Sequence, residues 1–169
     1  MRTLIVSALL AISFGASASQ PNSYAINTMY NSRVEEMMES TGMDFKGAID
    51  AANLKRDWDA NQARAQLKYS KPNMYVGRVD KILFNNGNAD FVLNLGKKTQ
   101  VIVTLAPYQG WPWVESKGKW SIGGVQTNLE FAANINVGDR MYFQCRRVEY
   151  VGQVYLVNCL AFPSVLEER

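Results

Sequence analysis

The 169-residue chain has no histidine and only two cysteines. Without histidine, the usual Ser-His and Cys-His triads and imidazole metal centres cannot be built. An excess of one charge is also missing: 18 basic side chains stand against 15 acidic ones, a net of +3. That balance lacks the clustered basic stripe of a nucleic-acid binder. No apolar run reaches the roughly 20 residues that a spanning helix needs, and the chain has no repeats or low-complexity tracts. What remains is 47% hydrophobic and 11% aromatic, the composition of a globular protein.

The chain opens on an export pattern. Arg2 precedes an apolar run from Leu4 to Phe14, followed by the small residues Ala16-Ser17-Ala18. This predicts a signal peptide over residues 1–18, cleaved after Ala18, and a periplasmic location, with secretion as the alternative. No cysteine sits at the cleavage point, which argues against a lipid anchor. Losing Arg2 lowers the basic count from 18 to 17 and the net charge to +2.

Export decides how the cysteines are read. In an oxidising compartment, a lone pair implies a structural disulfide and no metal. Arg140 to Phe162 reads as two strands about a turn near Val151-Gly152, with Cys145 and Cys159 equidistant from Gly152. In-register antiparallel pairing sets them face to face, where a bridge can form.

Taken in order, Ser19 to Tyr30 is polar and aperiodic and reads as a leader. Ser32 to Thr41 predicts a short helix, with Ser32 as N-cap, Glu35 at capping-box spacing and Gly42 as its stop. Phe45 to Leu54 predicts a weaker helix. Asp57 to Tyr69 predicts a firmer one, with Asp59 as N-cap and Trp58 as a staple. From Asn73 the period changes to 2. Met74, Val76, Val79, Ile82 and Phe84 line a first strand kinked at Gly77, followed by an Asn85–Asn88 turn and strands Ala89–Leu95 and Thr99–Leu105. Ala106 to Asn128 reads as irregular and holds Trp111, Trp113 and Trp120; a short helix, Leu129–Ile135, follows.

The fold class is therefore mainly β: a five-stranded OB-fold barrel wired βββ-α-ββ, with an N-terminal helical extension. The extension covers residues 19–56, the OB-fold domain 57–162 and a charged tail 163–169.

The helix with Asn61 and Ala63, then Tyr69, Val76-Gly77-Arg78-Val79, Gly138-Asp139, Cys145, Gly152, Leu156 and Asn158-Cys159 resembles the exported OB-fold proteins of the tRNA-anticodon-domain-like family. The similarity spans roughly residues 58 to 162. It implies the fold and the compartment, transfers no binding residues and does not imply tRNA binding. The chain departs from the pattern in lacking a lipid-attachment cysteine and in the enlarged segment 106–128.

No catalytic constellation emerges. Glu35-Glu36 and Asp57/Asp59 read as helix-start acids, and Asp139 reads as a turn residue. The expectation is a non-enzymatic binding protein without a cofactor. Tyr108, Trp111, Trp113, Lys117, Lys119 and Trp120 form an aromatic, cation-rimmed segment suited to an envelope protein partner. The competing expectation is that Trp111, Trp113 and Trp120 fold back to plug the open end of the barrel, since aromatics usually find burial. Lys97 and Lys98 extend the cationic rim. Tyr75, Arg78, Lys81, Asn94 and Gln100 fall opposite the apolar rows, on the face where OB folds hold oligomers, so cell-wall glycan is the alternative ligand. Single-stranded nucleic acid ranks last.

Overall fold

A computed structural model describes residues 22–93, 100–117 and 119–166. The signal peptide expected over 1–18, the turn with Asn94, Lys97 and Lys98, and residues 167–169 lie outside the described residues. In chain order the elements are α1 (Ser23–Ser40), β1 (Ile49–Asp50), α2 (Ala51–Ala60), α3 (Gln62–Lys68), β2 (Asn73–Asn85), β3 (Asn88–Leu93) and β4 (Val101–Leu105). There follow β5 (Tyr108–Gly110), β6 (Trp113–Ser116), β7 (Lys119–Ile122), β8 (Val125–Thr127), α4 (Asn128–Ala132), β9 (Arg140–Tyr150) and β10 (Val154–Pro163).

The protein is mainly β, and its principal sheet largely closes on itself. The strand order is β1-β2-β3-β4-β10-β9, and β2 pairs again with β9, from Asn73 opposite Cys145 to Arg78 opposite Arg140. β4 and β10 run parallel; the β9–β10 hairpin is antiparallel. In that hairpin Cys145 faces Cys159, and the two are joined as a disulfide. β2 shifts register against β3 between Val79 and Lys81, not at Gly77. Gly77 instead admits a close approach: a Cβ there would lie 2.7 Å from Leu93 Cδ1 and 3.3 Å from Ala51 Cβ.

The helices differ from expectation for local reasons. Asn22, not Ser32, caps α1, its side chain accepting from Ala25 N at 2.9 Å, so the supposed leader is helical from Ser23. This helix is held by the tertiary burial of Tyr30, Arg33 and Met37 and has little intrinsic amphipathic pattern to read. The single helix expected over 57–69 is two. Asn61 adopts an extended backbone between them, and its side chain accepts from Arg64 N as the cap of α3, the competition with helix that asparagine offers. Asp59 pairs with Lys55 inside α2, whose N-cap is Asp50. The boundary expected at residue 57 falls within α2, whose Ala51, Leu54 and Trp58 are all buried in the core.

Two apolar layers share the sheet, because alternate residues of a strand face opposite sides. Tyr75, Val79, Phe91, Leu93, Met141 and Phe143 join Trp58 and Phe131 in an inner cluster. Met74, Val76, Tyr142, Leu160 and Phe162 form an outer layer with Tyr30 and Met37 of α1. Phe84, expected in the apolar row of the first strand, is exposed near the β2–β3 turn.

A groove and a cationic cleft beside helix α1

The segment 106–128 is more regular than its composition suggests. β5 pairs with β8, and β6 pairs with β7, so the chain runs out and back as a bent hairpin with a cis Trp111–Pro112 peptide where the two ladders meet. Its tryptophans turn inward. Trp111 packs edge-on against Phe131 at 5.6 Å beside the inner cluster. Trp113 lies 5.3 Å from Phe162, and Trp120 packs in the same outer layer. They therefore form no single exposed patch. Lys117 and Lys119 are exposed at the hairpin tip, and Tyr108 is half-buried.

Between α1 and the β6–β7 hairpin runs a groove of about 280 Å³. Tyr30, Val34, Met37, Trp113, Ile122 and Phe162 supply most of its walls, and Met43 stands exposed at its mouth. Its polar atoms come from Asn31 and Ser121 and from the aromatic walls themselves, Tyr30 Oη and Trp113 Nε1, the latter buried without a partner among the described residues. The seam depends on Gly110, where a Cβ would sit 2.4 Å from Tyr30 Oη and 2.7 Å from Ile122 Cγ2. Burial pushes the Tyr30 hydroxyl up to about 12. Gly110→Ala is expected to cost about 1–3 kcal/mol through overpacking, read as a lower urea midpoint. An unchanged midpoint would show that α1 and the hairpin are not packed in this way.

On the other side of Tyr30 lies a second cleft of about 220 Å³, lined by Met29, Arg33, Pro107, Tyr108, Arg146 and Asn158 among others. Arg33 is 7% exposed. Its Nη2 donates to Gln144 Oε1 at 2.5 Å, to Asn158 O at 3.0 Å and to Gln144 O at 3.3 Å. Gln144 is itself buried and donates to Thr41 Oγ1 at 2.9 Å. Arg146 is held by both carboxylate oxygens of Glu36.

The Arg146 hydrogen bonds hold the Glu36 carboxyl below its usual range. A carboxylate whose pKa is depressed in the folded state adds stability above its unfolded pKa, about 4.3 for glutamate, and loses it as pH falls through the folded value. The pair is solvent-exposed, so the effect is small. Proteolysis of α1 should quicken below about pH 4, and Glu36→Gln should abolish that acid step. An acid step of the same size in the variant would assign it to another group.

The remaining positions separate. Tyr75, expected on the open face, is 1% exposed and belongs to the inner cluster. Strand alternation with one buried face would set it outside, but α1 covers the outer face and makes both sides of β2 apolar. Arg78 is exposed on β2, its Nη1 donating to Gly138 O at 2.5 Å; Lys81 and Gln100 are exposed. Most of the acids singled out earlier have structural partners: Asp57 accepts from Lys68 and Tyr69, and Asp139 accepts from Asn136 N. Glu35 and Glu36 lie well inside α1, not at its start. Arg33, Arg146 and Asn158 escaped notice as a site. A lone arginine on a polar helix gives no sign of burial until its distant strand partners are known.

Comparison of the chain with protein-family models and with curated proteins finds no match in either.

Proposed function

We infer that the chain is an exported, non-enzymatic OB-fold binding module whose partner is an envelope polypeptide seated in the groove between α1 and the β6–β7 hairpin. The OB reading is supported by the wiring. Three antiparallel strands (β2, β3, β4), a helix (α4) and a hairpin (β9–β10) follow in order, with the third strand parallel to the last and the first paired with the fourth. A disulfide between the only two cysteines is consistent with an oxidising, exported location.

The observation that carries the partner class is the lining of the groove. Aromatic and aliphatic side chains predominate, with polar atoms only from Asn31, Ser121, Tyr30 and Trp113 among the lining residues, and such a wall suits apolar anchors from a polypeptide. A sugar needs a denser set of hydrogen-bond partners than that. The hairpin adds backbone, because β6 and β7 pair only with each other among the described residues, which leaves strand edges open to an added strand.

A photoreactive side chain placed at Met43, with a control at Phe84, exposed near the β2–β3 turn and outside the groove, tests this in intact cells. One defined polypeptide adduct from position 43 and none from position 84 is the expected result. Adducts of the same pattern from both positions, or from neither, would overturn the groove reading.

A further inference from the structure

We propose that the cleft on the other side of Tyr30 is a binding site for an acylated amino acid with a free carboxylate and an apolar side chain. This chemistry occurs both in small N-acyl amino acids and at the C-terminus of a polypeptide.

The cleft contains a buried cation that forms no ion pair of its own among the described residues; Glu36 acts on it only from a distance. Every hydrogen bond of the Arg33 side chain among the described residues goes through Nη2 to a neutral oxygen, from Gln144 or Asn158. Its Nε is buried and has no partner. The nearest acid, Glu36, has both oxygens committed to Arg146. Two guanidinium groups thus share one carboxylate, and the buried one is the one left out. Burying an unpaired ion is costly, and a planar guanidinium with unused donors matches an incoming carboxylate. Burial also holds the Arg33 guanidinium pKa below its usual value.

A second polar group is also unsatisfied. Asn158 lines the same cleft, and its Oδ1 is buried without a partner. It holds a backbone φ of +56°, a left-handed conformation in the middle of a strand, which costs energy for a residue with a Cβ. An orphan acceptor wants an N–H, and the Arg33 guanidinium is bonded to the carbonyl of this same residue at 3.0 Å. Donor and acceptor side by side fit the carboxylate and the amide N–H of one acylated amino acid. Met29, Pro107 and Tyr108 then offer the apolar wall for its side chain. Inorganic anions would satisfy Arg33 but would leave both Asn158 and this wall unused.

The cleft and the groove are independent of each other. The cross-link at Met43 can fail while the cleft binds, and the reverse.

The test is an NMR titration of the oxidised, ¹⁵N-labelled protein with N-acetylphenylalanine, its C-terminal amide, a free-acid pentapeptide ending in Phe, and inorganic phosphate. The free acid should shift the Arg33 Nε–H and Asn158 amide signals, while the amide and phosphate leave them in place. Arg33→Lys should weaken binding about tenfold or more, since it removes charge-assisted donors. Tyr108→Ala, which leaves the Arg33 network intact, should weaken it by several-fold. Tighter binding of the pentapeptide than of N-acetylphenylalanine would assign the ligand to a polypeptide C-terminus, and the converse to a small metabolite; both support the site. Equal shifts from acid and amide, equal shifts from phosphate, or unchanged affinity in both variants would overturn it.

Discussion

Replacing the bridge by Cys145→Ser and Cys159→Ser together is expected to lower stability by about 3 kcal/mol. The cysteines are separated by 14 residues and face each other in a ladder that continues on both sides, from Val154 opposite Tyr150 to Pro163 opposite Met141. The folded hairpin therefore has its own hydrogen bonds, and the bridge acts mainly by restricting the unfolded chain. Two observables follow. For a unit of this size the melting temperature should fall by about 6–12 °C. The denaturant slope should rise, because an uncrosslinked chain exposes more surface on unfolding. Reduction of the native protein should give the same shift, with a mass gain of about 2 Da as each sulfur takes up a hydrogen. A midpoint that ignores both treatments would show that the two strands do not depend on the bridge.

Phe162→Ala is expected to cost about 3–5 kcal/mol, the range for truncating a buried phenylalanine. Its ring is 1% exposed and serves several elements at once. It lies 5.6 Å from Phe45 and 5.3 Å from Trp113, and it forms part of the groove wall beside α1. Removing it takes away the common floor of the outer layer, while Phe91 and Phe143 of the inner cluster remain packed at 6.0 Å. Proteases should therefore cut α1 and the β6–β7 hairpin before the disulfide-linked strands. Phe143→Ala, a comparable loss inside the closed sheet, should give no such order. Equal cleavage patterns in the two variants would mean that the outer layer does not open on its own.

Some of this was legible in the sequence because it rests on local rules. The hairpin could be placed from Gly152 and two equidistant cysteines, and the strand at Met74 from its change of period. Helix α1 shows little in the sequence because its stability is borrowed: the residues it buries pack against strands far along the chain. The same blindness hid Arg33, whose partners are Gln144 and Asn158. The tryptophans were visible as residues, but not the turn that faces Trp111 to one layer and Trp113 to the other. Alternation in WVES and KWSI carried the hairpin signal, masked by the surrounding prolines and glycines.

The long reach of Arg33 also sets a sequence of events. Its carbonyl partners on Gln144 and Asn158 lie 111 and 125 residues away. The strands that close the sheet, β2 and β9, are likewise far apart in sequence, with Asn73 opposite Cys145. Such distant contacts are slow to form, because loop closure precedes any gain from the contact. A helix with little stability of its own has no seat until the last hairpin exists. Helix α1, made before the strands it rests on, is therefore expected to settle after them, and the groove and the cleft to be completed with it.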